Sequence, residues 1–285
     1  MIVFLDYSYS IIEKYLYHNN NMTTEFKKSL IEHKAVIWGL LNREITTKFG
    51  DSYFGYAWIA VEPMLFIMML YAMFTFLGRA TGNMPILLFL LTGIVPYFFF
   101  RNSFQGASSA IAANQALLAY RQVKIIDTIL ARILLQAATS LLSAIILTAL
   151  IIYLNSGATL YHPIRIIYMI FILLAITLGF SLILAVVSYY YIDLPKFMGL
   201  VNRVLFFTSG VFFGLNDFPP NISYYLSFNP ILQVIEFIRS AFSVEHLNVY
   251  LSYEYLIAFT ICTLFLGVMC YYVARKNIMM NARSR

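Results

Sequence analysis

Apolar positions fall into long charge-free runs separated by short polar stretches. Ile133–Leu154, Ile166–Ile192 and Tyr255–Ala274 contain no Asp, Glu, Lys or Arg. As helices rising ~1.5 Å per residue, each is long enough to cross a hydrocarbon core of ~30 Å. Pro63–Leu77 reaches that length when extended back through Trp58, and Ile86–Phe100 does so by continuing past Arg101. Phe197–Leu215 is the weakest run, being short and holding Arg203. The pattern predicts an all-α, polytopic membrane protein with six transmembrane helices at 57–77, 86–108, 133–154, 166–192, 197–215 and 254–274.

Two further patterns flank these runs. Ahead of the first span, Phe26, Leu30, Ile37, Leu41, Ile45 and Phe49 recur near helical spacing, while Lys27, Lys28, Glu32, Asn42, Arg43 and Thr46 fall off the stripe. This predicts an amphipathic helix over 25–50 lying along the membrane surface. Gly50 and Gly55 then permit the turn into the bilayer, with Trp58 as an interfacial anchor. Between spans five and six, the apolar pieces Ile222–Ile235 and Phe237–Val244 are divided by Glu236 and interrupted by Pro219, Pro220 and Pro230. Each is too short to cross, so 217–250 is expected to form re-entrant helices enclosed by protein. Residues 1–24 form an N-terminal extension that lacks the basic start of a signal peptide. Residues 25–285 form one transmembrane domain.

Charge placement orients these spans. The chain is 61% hydrophobic and 11% charged, which excludes a soluble globular domain. Of its 19 Lys and Arg, all but Arg79, Arg101, Arg165 and Arg239 precede span one, lie between spans two and three, follow span four or close the chain. The positive-inside rule therefore puts both termini in the cytoplasm. Ser223 and Asn248 are then expected to react with a reagent confined to the outside. The net charge of +6 reflects this topology and contact with anionic membrane lipids, not nucleic acid. His18, His33, His162 and His246 show no metal spacing, and Cys262 and Cys270 read as packing residues in the last span. No glycine-rich phosphate loop ending in Lys and Ser or Thr occurs.

Three separated motifs carry a family resemblance. The first runs from Leu40 to Pro63 through Arg43, Glu44, Ile45, Lys48, Phe49, Gly50, Gly55, Tyr56, Trp58 and Glu62. The second runs from Asn114 to Arg132 and contains Tyr120, Arg121, Lys124, Asp127 and Arg132, with Gln122 and Ile125 where the family has prolines. The third is Asn229-Pro230-Ile231, followed by Glu236 and Arg239. Together they resemble the inner-membrane permease subunit of ABC-type capsular polysaccharide exporters.

That resemblance implies a second permease copy and two nucleotide-binding ATPase subunits. ATP and Mg are held by those subunits, no cofactor by this chain, and the chain is not an enzyme. It further implies a lipid-linked polysaccharide substrate moved from cytoplasm to periplasm, a periplasmic co-polymerase and an outer-membrane channel. Residues 114–132 become a cytoplasmic coupling loop, with Tyr120, Arg121, Lys124, Asp127 and Arg132 seated on the ATPase. Arg43, Glu44 and Lys48 belong to the interfacial helix. Exporters of O-antigen or teichoic acid share this architecture. An integral-membrane glycosyl- or acyl-transferase is the rival of a different class.

Glu62, Tyr97, Phe100, Arg101, Glu236 and Arg239 are the candidates for a translocation path. An Arg in mid-membrane costs ~2.5–3.5 kcal/mol on insertion scales, so Arg101 must face water, protein or Glu62. Glu236 and Arg239, three apart, either pair structurally or form a polar lip for the saccharide. Aromatic rings suit stacking on sugar faces, although packing and interfacial belts account for most of them. Gly210-x-x-x-Gly214 predicts a close helix approach in span five.

Overall fold

The computed structural model describes residues 34–50, 55, 57–79, 81, 84–118, 120, 123–153, 160–243 and 247–283. The N-terminal extension, the first part of the expected surface helix and Arg121 lie outside the described residues. All regular elements among the described residues are helices. Helix α1 covers 34–49, α2 Trp58–Phe76, α3 Ile86–Ser108, α4 Ala110–Ala113 and α5 Gln115–Leu118. They are followed by α6 Ile125–Tyr153, α7 Pro163–Tyr190, α8 Leu194–Thr208 and a 3-10 turn at Leu215–Asp217. The chain continues through α9 Pro220–Leu226, α10 Pro230–Arg239 and α11 Tyr253–Arg283. Five helices, α2, α3, α6, α7 and the Tyr253–Met280 part of α11, are long and apolar enough to cross a membrane.

Helix α3 is the axis of the bundle. It is the most enclosed of the five and packs against α2, α6, α7, α8 and α10. Its core side chains include Leu88, Leu90, Ile94 and Phe100. Helices α2 and α11 lie outermost, and each keeps a long apolar face uncovered. The α7–α11 contact is a backbone-to-backbone approach. A methyl on Gly179 would stand 2.7 Å from the Thr263 carbonyl oxygen, and one on Gly267 would stand 2.6 Å from that of Gly179. Without a water-driven hydrophobic effect between lipid-solvated helices, such small-residue contacts supply dispersion that larger side chains would block.

The region after α7 departs from the expected pattern. The run at 197–215 becomes α8, 15 residues ending at Thr208, about 22 Å at 1.5 Å per residue. Gly210, at φ 73°, then turns the chain in a conformation that disfavours any residue bearing a Cβ. Gly210 and Gly214 consequently share no helix face, and the expected close-approach motif does not form. The next helices also divide differently. The break falls at Asn229, whose side chain accepts from the amides of Ile231 and Leu232, while Pro230 opens α10. Glu236 lies inside α10 and does not divide it. Ser223 is 2% exposed and donates to the Leu215 carbonyl at 2.7 Å, so it cannot serve as an outward label.

Candidate functional site

The first site is a joint between α1 and the segment around α4–α6. Val36, Ile37, Leu40, Leu41, Glu44, Ile45 and Phe49 face inward on α1, a stripe of three- and four-residue steps. Glu44 on that stripe meets Arg132 at 2.8 Å. The Arg132 guanidinium also donates to the Gly106 carbonyl at 2.6 Å and to Ser109 Oγ at 3.0 Å. One residue earlier, Arg43 donates to Asn114 Oδ1 at 2.6 Å. Lys48 donates to Gln136 Oε1 at 3.0 Å. Burial lowers the Lys48 pKa from its ordinary 10.5, opposed in part by the nearby Glu62 and Glu44 carboxylates. Helix α1 is thereby fastened to the α4–α5 turn and to α6, and through Arg132 to the end of α3.

The stretch 114–132 is not a loop throughout. Helix α5 occupies its start and α6 begins at Ile125. The Asp127 carboxylate accepts the Lys124 amide at 3.0 Å, capping that helix start with a side chain that is itself buried. Tyr120 is 66% exposed. Of the predicted coupling residues, then, Tyr120 faces outward, Asp127 holds the turn and Arg132 locks to α1. Arg121 lies outside the described residues.

A second group lies where α2, α3 and α8 meet. Arg101 Nη2 pairs with Glu62 at 2.8 Å, its Nε donates to Asn102 Oδ1 at 3.0 Å, and its guanidinium lies 4.1 Å from the Phe98 ring centre. Both charged partners remain partly exposed. Tyr97 is buried, and its hydroxyl donates to the Asn202 carbonyl. Phe100 is also buried, stacked on Phe104 and edge-on to Phe180. Phe100 lines no cavity found among the described residues, whereas Tyr97 borders the one beside Arg101. A cavity of about 220 Å³ opens beside Arg101, bounded by Gln105, Asn202, Arg203, Phe66 and Phe206. Asn202 was not singled out by the sequence patterns, because a single Asn in an apolar helix has no periodic signature.

The third group is wholly internal. Arg239 and Glu236 pair at 2.9 Å with exposures of 0% and 1%. Arg239 also donates to the carbonyls of Phe213, Phe89 and Val211, and its guanidinium lies 3.6 Å from the Phe89 ring centre. A methyl at Gly93 would come within 2.8 Å of Arg239 Nη2, so the missing side chain makes room for the guanidinium. Arg239 joins α10 to α3 and to the turn after α8. Among the described residues, no three His, Cys, Asp or Glu gather as a metal site.

The described residues thus form a bundle of membrane-length helices with a charged joint where α1 meets α6. The profile of the ABC-2 type transporter family matches residues 35–243, and the chain belongs to that family. It is 31% identical over 239 residues to the polysialic acid transport protein KpsM of Escherichia coli, covering 84% of this chain and 93% of that protein. It is 30% identical over 250 residues to the capsule polysaccharide export inner-membrane protein CtrC of Neisseria meningitidis, covering 86% and 93%. The O-antigen export system permease RfbA of Klebsiella pneumoniae is 23% identical over 218 residues, covering 76% and 82%.

Proposed function

We propose that this chain is the membrane subunit of an ATP-driven exporter carrying lipid-linked capsular polysaccharide across a bacterial inner membrane, from cytoplasm to periplasm. The similarity to the polysialic acid transport protein, over 84% of this chain and 93% of that one, carries this reading. ATP and Mg belong to two partner ATPase subunits. Tyr120, Lys124 and Arg121 present the docking surface for them, and Asp127 holds its shape. Arg132 passes a push at that surface to Glu44, while Arg43 bonds Asn114 beside it. With α1 along the cytoplasmic membrane surface, ATPase movement then reaches α3 and α6 together.

Both termini are cytoplasmic in this reading, and α8 is a short sixth span whose length deficit is met by local thinning. Helices α9 and α10 re-enter from the periplasmic side. The uncovered apolar faces of α2 and α11 support contact with lipid and a second permease copy. Glu62 and Arg101 line the path. Tyr97 borders the cavity beside Arg101, while Phe100, Glu236 and Arg239, being buried, brace the path from behind. The periplasmic co-polymerase and outer-membrane channel complete the route.

Affinity purification of the tagged chain should bring down a Walker-motif ATPase, and deletion of the chain should trap lipid-linked capsule inside the cell. The O-antigen permease relative supplies a second reading. Loss of surface O-antigen with intact capsule would select it, and loss of neither glycan would reject both.

A further inference from the structure

Helices α6 and α7 each pack along α3 and touch one another much less. The cleft between them is a recess of about 360 Å³ with α3 as its floor. Leu88, Leu91, Val95 and Phe99 form that floor, spaced by three, four and four residues along one face of α3. All four are buried, whereas Leu141 and Ile152 on the α6 rim are 46% and 64% exposed. The recess therefore opens sideways, out of the bundle.

Its dimensions are those of one bilayer leaflet. Leu88 to Phe99 is eleven residues, about 16 Å along a helix, and half of a ~30 Å hydrocarbon core is ~15 Å. One end lies at the same membrane face in all three helices. Leu88 is near the start of α3, Ile152 near the end of α6 and Ile166 near the start of α7. Spread over about 16 Å, the volume leaves a mean cross-section of about 22 Å², far below the ~80 Å² of a helix ~10 Å across. A helix of another chain is too thick to enter, and a hydrocarbon chain is not. Water and sugars find few partners on this lining. Thr92, among its few polar residues, already donates its hydroxyl to the Leu88 carbonyl at 2.9 Å. A cavity walled by Leu, Ile and Phe stays dry.

A charge marks that shared end. Arg165, one residue from Ile166 of the lining, donates to the Ser240 carbonyl at 3.0 Å and to its hydroxyl at 2.8 Å. Ser240 stands between Ile238 and Phe242, which also line the recess. Among the described residues, no carboxylate pairs with Arg165. The site thus offers a cation above an apolar slot one leaflet deep, and a bilayer phospholipid carries both matching parts on one molecule.

We infer that the recess between α3, α6 and α7 holds one acyl chain of a membrane phospholipid, whose phosphate is met by Arg165. The chain fills the gap between α6 and α7 and supplies the dispersion contacts that these two helices do not make with each other. With the orientation proposed above, this is the periplasmic leaflet. The site requires no polymer and no ATP, so it stands or falls apart from the export reading.

For the test, the full-length chain, with whatever subunits copurify, is placed in nanodiscs of phosphatidylcholine whose acyl chain carries a diazirine near its end. After irradiation, mass spectrometry locates the labelled residues. Val95 and Phe99, 8% and 5% exposed, should be labelled, as should Phe265, 67% exposed on α11. Ala144→Phe and Thr148→Leu each put bulk into the recess. Each should lower labelling of the floor by about tenfold or more and leave Phe265 labelled as before. Thr148→Leu decides the matter where Ala144→Phe does not fold. Arg165→Gln should lower floor labelling about twofold to fivefold, as loss of a partly exposed ion pair does. An unlabelled floor beside a labelled Phe265 overturns the inference. Floor labelling that persists in both filling variants overturns it too, because the probe then arrives by another route. If a second permease copy covers the cleft instead, the floor stays unlabelled and a photoreactive residue at Leu141 cross-links two permeases. Equal labelling of the parent and Arg165→Gln overturns the phosphate contact.

Discussion

Arg239–Glu236 and Arg101–Glu62 use the same two side-chain types at nearly the same separation, 2.9 and 2.8 Å. Their surroundings differ completely. The first pair is sealed, with exposures of 0% and 1%, and its guanidinium is spread over three backbone carbonyls and a phenyl ring. The second keeps 27% and 44% of its side chains exposed, next to an open cavity. A sealed ion pair cannot change partners without leaving a bare charge in a dry core. A half-open one can do so at small cost. The internal pair is thus a structural joint, and the open pair is free to take part in transport.

The largest effect should follow from opening the sealed pair. Arg239→Leu or Glu236→Gln leaves one uncompensated polar group and should cost about 3–5 kcal/mol. Little folded protein should then survive purification, as measured by thermal unfolding in detergent. Replacing both by apolar residues should restore much of the loss, because a buried pair is weakly stabilising against well-packed hydrophobes. A stable single variant would end the structural assignment.

An intermediate effect is expected at the α1 joint. Arg132→Glu places like charges against Glu44 and frees the Gly106 carbonyl, while the swap with Glu44→Arg restores opposite charges. The single variant should keep the ATPase bound but separate hydrolysis from glycan export, and the swap should recover part of the coupling. Equal defects in both would show that the ion pair itself carries no coupling. On the proposed docking surface, Lys124→Glu should weaken ATPase association in a graded way, as rim charges do.

Locality separates the features legible in the amino-acid order from those that are not. Charge-free runs are local, so helices α6, α7 and α11 can be read directly from residue pattern, as can the three-residue spacing of Glu236 and Arg239. The partner of Arg132 is Glu44, 88 positions away, and no periodicity links them. Gly93 looks like an ordinary membrane-helix glycine until Arg239 is placed against it. The early end of α8 depends on a single positive-φ residue, Gly210, inside an otherwise apolar run. Apolar composition alone reads straight through it.

For the open pair, Arg101→Leu should change stability by no more than about 1 kcal/mol, since partly exposed pairs contribute little. Export per folded molecule should nevertheless fall. If the two measurements move together, Arg101 is only a second structural joint and the contrast with Arg239 collapses.

The smallest effect should come from Lys48, an exposed residue of α1 whose ammonium is held at Gln136. Its folded-state pKa is below the 10.5 of the unfolded chain because burial disfavours the ammonium. Between those two values the unfolded form binds more protons, so stability must rise with pH across that window. The penalty is fully present below the folded value and vanishes as pH approaches 10.5. Solvent reaches part of the side chain, so the slope is shallow. Lys48→Gln removes the titrating group while leaving an amide able to meet Gln136. The parent should therefore gain melting temperature relative to this variant between neutral pH and about pH 10. A constant difference across that range would show that Lys48 is solvated as freely as a surface lysine, and that the α1 joint is looser than its hydrogen bonds indicate.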